Sequence, residues 1–382
     1  MKLDGSALKE EAAREGLFLL GTTTLDPPPH REVYERWLES GRHGSMAYLA
    51  TERARRLRAS PRELLPQAQS LIVCALPYGG PDERADASTA TAAPLRGRMA
   101  AYAWGDDYHE VFPARLEALA RRLQARVAIP FAFRAYTDTG PLLERDLAQR
   151  AGLGWIGKNT CLISPRHGSF FFLGELLLDL EVEVDAPFAA DRCGSCRRCI
   201  EACPTGCILE DRTLDARRCI SYQTIENRGP IPSELRPAMG TWVFGCDVCQ
   251  IVCPWNQRFA RPSDVLPAFQ PREGMPFPDL AEALALSPQE FSRRFRHSAV
   301  KRTHRAGFLR NVAVALGNLH DSRAVPALAQ ALGADPEPLV RAHAAWALGQ
   351  TGGQGARQAL RDAARDETDP GVLAELYLAL SG

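Results

Sequence analysis

Nine of the chain's 11 cysteines fall between positions 193 and 253, and the spacing of eight of them limits what that region can become. CGSCRRCIEACP sets Cys193, Cys196, Cys199 and Cys203 ahead of Pro204; CDVCQIVCP sets Cys246, Cys249 and Cys253 ahead of Pro254; Cys219 lies between them. Where thiols are kept reduced, such crowding means metal rather than disulfides. Zinc sites usually bring separated C-x2-C pairs to one tetrahedron. C-x2-C-x2-C-x3-C-P instead wraps three thiolates round one iron-sulfur cube and sends the fourth to a neighbouring cube. The second pattern is the one present, so two 4Fe-4S clusters are expected.

The same rule allocates ligands. Cys193, Cys196 and Cys199 hold one cluster with Cys253 as fourth ligand, and Cys203 joins Cys246 and Cys249 at the other. The second motif is one cysteine short, and Cys219 completes it. Cys74, Cys161 and Cys207 remain. Cys74 lies in SLIVCAL, a short apolar run that reads as a buried strand, where a free cysteine acts as a small hydrophobe; the other two take the same reading. Two low-potential clusters close together carry single electrons, so another part of the chain must receive them.

A length of 382 residues exceeds what one small core needs and predicts an α+β chain of several domains. Residues 1–185 alternate helical patterns (HREVYERWLESG, EVFPARLEALARRLQARV) with apolar runs (SLIVCALPYG, FAFRAYTD, SFFFLGELLLDLEVEV), as an α/β core carrying a cofactor or substrate site would. Residues 186–265 form the expected two-cluster ferredoxin-like module. Residues 266–382 begin as a proline-punctuated linker. LRNVAVALGNL, VRAHAAWALGQT and VLAELYLAL then recur every 31 or 32 residues, each an alanine-rich helical pattern with AVPALAQALG and GARQALRDAAR as partner helices. Helix pairs at this period resemble HEAT-type repeats, which stack to bury a continuous core.

Lys and Arg balance Asp and Glu at 46 each, so any polyanion must be held by local basic patches rather than by net charge. Two exist. Residues 293–310 carry Arg293, Arg294, Arg296, Lys301, Arg302, Arg305 and Arg310 with no acidic residue, and a shorter run spans Arg53 to Arg62. Solvated helix faces also collect arginines, but two basic runs flanking a redox segment point to a nucleic-acid substrate. The N-terminus lacks the basic head and apolar run of an export signal, and no stretch of about 18 uncharged apolar residues occurs, so a cytoplasmic protein with no membrane contact is expected.

Two motifs mislead. AGLGWIGKNT, residues 151–160, has the glycine spacing of a dinucleotide fingerprint, yet it follows the helical PLLERDLAQRAG rather than a strand, and Asn159 follows Lys158 where a P-loop needs Ser or Thr. What remains is a Gly-rich turn: either a helix stop, or a cradle whose amides and lysine approach a ligand. Asp138-Thr139-Gly140 spells the aspartic-protease triplet, but no second copy exists to share a proton, so Asp138 reads as a helix-capping residue or a lone acid.

Taken in order, DTGPLLERDLAQRAGLGWIGKNTCLI, HGSFFFLGELLLDL, the CGSCRRCIEACPTG box, RCISYQTIE, GCDVCQIVCPWN and GFLRNVAVALGN resemble the epoxyqueuosine reductase family over nearly the whole chain. That resemblance implies a cobalamin-binding core akin to reductive dehalogenases, ahead of the cluster module and the repeats. It also implies reduction of the epoxide of epoxyqueuosine at the tRNA wobble position, the last step of queuosine synthesis, with electrons from an external low-potential donor. By the same resemblance Asp138 is the proton donor and Arg58, Arg145 and Lys158 contact cobalamin. Cys207 departs from the alanine frequent after C-P-T-G in the family and stands as a competing thiol. Asp138 would need a raised pKa, hence a desolvated carboxyl. A reductive dehalogenase-like enzyme and a plain two-cluster electron carrier are the alternatives.

Overall fold

The computed structural model describes residues 2–80, 94–260 and 265–381. The chain divides into two compact units, the first made of Met1–Pro81, Gly105–Arg217 and Val248–Gln270, the second of Asp82–Trp104, Arg218–Asp247 and Pro271–Gly382. The cysteine-rich stretch contributes to both. Cys193, Cys196, Cys199, Cys203, Cys249 and Cys253 belong to the first, Cys219 and Cys246 to the second.

The first unit is built on a four-stranded sheet of β1 (Leu19–Thr23), β2 (Ser70–Pro77), β3 (Phe133–Tyr136) and β4 (Phe171–Leu178), in the order β1-β2-β4-β3. Every neighbouring pair is antiparallel, so the alternation of apolar and helical runs yields an α+β layer rather than the parallel sheet of βαβ units. β2 is buried along its whole length because helices cover both faces of the sheet. Four helices of this unit matter below: α1 (Arg31–Glu39), α2 (Glu52–Ala59), α3 (Tyr108–Val127) and α4 (Glu144–Arg150). α3 buries Phe112, Leu116, Leu119, Ala120 and Leu123 at helical spacing. Gly174 of β4 lets it come close, since a methyl there would stand 2.9 Å from the Phe112 ring and 3.0 Å from Leu116. On the opposite face Leu147, Ala148 and Ala151 of α4 and its C-cap pack with Leu71, Val73, Ala75 and Leu177. Glu175 shares that face by the two-residue period of the strand.

The second unit holds the repeats: α5 (His304–Leu319), α6 (Val325–Ala334), α7 (Pro338–Thr351), α8 (Gly353–Asp366) and α9 (Pro370–Ser381). α5, α7 and α9 pack in a row through glycines one repeat apart. A methyl on Gly317 would lie 2.9 Å from Ala347 Cα, and one on Gly349 2.9 Å from Ala379 Cβ. Residues 223–243 run along this row. Arg310, fully buried, donates to the carbonyls of Gln223, Asn227 and Gly229, and Asn311 donates to those of Thr224 and Val243. Asn318 donates to the carbonyls of Arg236 and Gly240. Arg236 in turn pairs with Glu375 of α9 at 2.5 and 2.9 Å and lies 5.5 Å from the Trp346 ring of α7.

The basic run at 293–310 is therefore not one surface. Arg310 is internal, its pKa pushed down to about 9 by burial; Arg305 pairs with Asp335 and Arg302 with Glu226. Arg293, Arg296 and Lys301 are exposed.

Candidate functional site

Two groups of functional side chains emerge in the first unit. The first is built on the Gly-rich turn. Gly152 ends α4 in the left-handed region (φ +82°), as a helix C-terminus requires. Gly154 and Gly157 are glycines for packing: a methyl on the first would overlap the Ile163 carbonyl, and on the second would press Ile163 Cδ1 at 2.5 Å. The Gly157 amide donates to Cys161 O at 2.8 Å, and Lys158 Nζ donates to the carbonyls of Gly194 and Cys196 at 2.8 and 2.9 Å. The turn thus grips the cysteine loop. Cys193, Cys196, Cys199 and Cys253 line one pocket with Lys158 and Trp255, and Trp155 Nε1 lies 3.4 Å from Cys193 Sγ.

Chemically the four thiols suit a cationic centre. Burial, and then the neighbouring Cys193 and Cys253, push the Cys199 thiol up to about 11, so its thiolate form calls for a cationic partner. Among the described residues no three His, Cys, Asp or Glu side chains close round the space of one metal ion. A cluster with its own inorganic core can bridge thiols spread further apart. Cys203 lies 3.4 Å from Cys207, sulfur to sulfur, and this contact above all lowers its pKa to about 5. Cys207 is thus buried directly beside an expected ligand.

The second group surrounds Asp138. This residue adopts a left-handed backbone (φ +54°), uncommon outside glycine. Its Oδ2 accepts from Tyr108 Oη at 2.9 Å and lies 3.3 Å from His109 Nε2. Asp107 caps α3 through the His109 amide and meets His109 Nδ1 at 2.7 Å, while Tyr108 stacks on Phe172 at 4.3 Å. Burial opposes charge on His109, but the bonds to Asp107 and Asp138 outweigh it and raise the imidazole to about 9. Desolvation likewise opposes charge on Asp138, yet the bonds from His109 and Tyr108 hold its pKa below the usual carboxylate range. Where a raised pKa was expected, the bonds from His109 and Tyr108 favour the carboxylate form of Asp138, whose side chain is 63% exposed.

Of the residues expected at cobalamin, Arg145 is the one beside Asp138, whose charge it stabilises while donating to Thr160 O at 3.1 Å. Lys158 is engaged by the cysteine loop. Arg58, on α2, lies 5.6 Å from the Tyr34 ring of α1 and donates to Ala54 O. Sequence reasoning missed Asp107, Tyr108, His109, Glu144 and Glu175. The polar DDYH opening of a helix and a lone glutamate inside the apolar LGELLLDL were the available signals.

Comparisons with known proteins agree with this arrangement. A 4Fe-4S double cluster binding domain model matches residues 192–256, an epoxyqueuosine reductase QueG model residues 58–139, and a HEAT repeats model residues 305–381. Epoxyqueuosine reductase of Pseudomonas aeruginosa is 43% identical over 91% of this chain and 94% of its own length. That of Escherichia coli K12 is 41% identical over 91% and 90%. Among solved structures, an epoxyqueuosine reductase with an epoxyqueuosine-modified tRNA-Tyr stem loop superposes with TM-score 0.89 at 32% identity, covering 98% of this chain and 97% of that one. The Bacillus subtilis enzyme, with its catalytic aspartate loop swung out of the active site, gives 0.87 at 32% identity over 98% of both chains. No described helix is long and apolar enough to cross a membrane. With relatives matching nine-tenths of its length at more than 40% identity, the chain belongs to the epoxyqueuosine reductase family.

Proposed function

We propose that this chain reduces the epoxide of epoxyqueuosine in the tRNA anticodon loop to the cyclopentene of queuosine, using cobalamin and two 4Fe-4S clusters. The observation that carries the chemistry is the Asp138 carboxylate held by Tyr108 and the His109 imidazolium. The reaction consumes two electrons and two protons, and the epoxide oxygen leaves as water. Cobalamin, when bound, supplies a reduced cobalt able to open the epoxide. Arg145 is the residue of this chain suited to meet it beside Asp138. Asp138 orients the leaving oxygen's side of the substrate and passes on the proton of His109, which Asp107 keeps charged. Cys193, Cys196, Cys199 and Cys253 would hold one cluster, and Cys203, Cys219, Cys246 and Cys249 the other. The tRNA stem loop bound by a relative supports the substrate, and the swung-out aspartate loop of another supports an Asp138 turn that opens and closes.

The test is anaerobic: reconstituted protein, a strong reductant and tRNA bearing epoxyqueuosine, with cobalamin present or omitted, read by nucleoside mass analysis. Queuosine appearing only with cobalamin is expected. Intact, reducible clusters without queuosine would leave electron transfer as the function.

A further inference from the structure

β4 is apolar along its length except at Glu175, which is completely buried. Among the described residues no donor reaches either of its carboxyl oxygens. The groups acting on it are the carboxyls of Glu144 and Asp138, and Cys74 of β2 lies within its field. The charged groups acting on Glu175 are carboxyls, while Arg145 acts on its neighbour Glu144. The one bond open to Glu175 is with Glu144, and two carboxyls bond only when a proton lies between them. Glu144 opens α4, and its Oε1 accepts the backbone N–H of Asp138. Burial, reinforced by the neighbouring carboxyls, raises both Glu144 and Glu175 above the ordinary carboxylate range, which favours a proton shared between them.

We propose that the Glu144–Glu175 carboxyl pair is a latch: Glu175 fixes Glu144, and Glu144 fixes the left-handed Asp138 turn that aims the carboxylate at Tyr108, His109 and substrate. Glu144 is a positioning residue, and this role rests on the reading of Asp138 given above. An aspartate at φ +54° persists only where its surroundings over-determine it. A tether to the amide of that same residue is such a constraint. It runs from the centre of the sheet to the loop through two side chains, and breaking either link frees the turn without touching the residues that meet Asp138's carboxylate.

The experiment uses full-length, cluster-loaded protein. Hydrogen exchange is followed in the peptide covering 133–143, without substrate, for Glu144→Ala, Glu144→Gln and Glu175→Gln, and turnover is measured in parallel. Glu144→Ala should speed exchange of the 137–140 turn, leave β2 protected, and lower kcat by roughly 100-fold at unchanged KM for tRNA, the effect of a misaimed catalytic group. Glu144→Gln keeps an acceptor oxygen and should recover most of that loss; Glu175→Gln replaces the shared proton with a permanent N–H donor and should keep the turn slow to exchange. If Glu144→Ala does not fold, Glu144→Leu fills the same space without an acceptor. Unchanged exchange in Glu144→Ala or Glu144→Leu overturns the latch. Faster exchange with unchanged turnover upholds the latch and instead removes Asp138 from the reaction.

Discussion

At His109 a single imidazole links the geometry of the site to its pH range. Its pKa, raised to about 9 against the opposition of burial, means that the folded protein binds a proton more tightly than the unfolded chain. The stabilisation is complete below the ordinary histidine pKa of about 6.5 and is lost as pH rises through about 9. If the imidazolium is the acid, kcat/KM should fall along a basic limb near pH 9. Asp138→Asn removes one of the two carboxylate partners, so the limb should move to lower pH and the rate should drop; a pH–rate profile of both proteins checks it. A limb that stays in place in the variant would assign the titration elsewhere.

The elements themselves were largely legible in the sequence. SLIVCAL is a buried strand, EVFPARLEALARRLQARV lies within α3, and the alanine-rich segments are the repeat helices, because apolar period and turn residues are local signals. What was not legible depended on long-range company. Strand direction could not be read from alternation alone. Arg310 reads as surface charge until its guanidinium is found inside a ring of carbonyls. Of the two glutamates behind Asp138, Glu175 was marked only by its place inside an apolar run, and Glu144 by nothing local. The Gly-rich turn reads correctly as a helix stop, and its lysine, which the resemblance assigns to cobalamin, donates to the first cysteine loop. Lys158→Met should therefore lower iron bound per chain while leaving cobalamin affinity of the iron-replete fraction unchanged. Iron analysis beside a cobalamin titration distinguishes the two roles.

For the molecule as a whole, a formal charge of zero combined with several internal arginine pairs leaves little general attraction for RNA. The exposed Arg293, Arg296 and Lys301 are then the part of the basic run available to phosphates. Replacing all three by Ala should weaken tRNA binding regardless of the wobble modification, and should flatten the dependence of log K on log salt by about 1 for each phosphate that is no longer neutralised. Binding isotherms over a salt series make the measurement, and an unchanged slope would exclude this patch. The row of repeat helices has a second occupation. Residues 223–243, held by Arg310, Asn311, Asn318, Trp346 and Glu375, are flanked by Cys219 and Cys246. The repeat array thus carries a peptide of its own chain, and what hangs from the two ends of that peptide are cysteines. If Cys219 and Cys246 hold a cluster as proposed, damage to the last helix, far along the sequence from any thiol, would be felt first as lost iron.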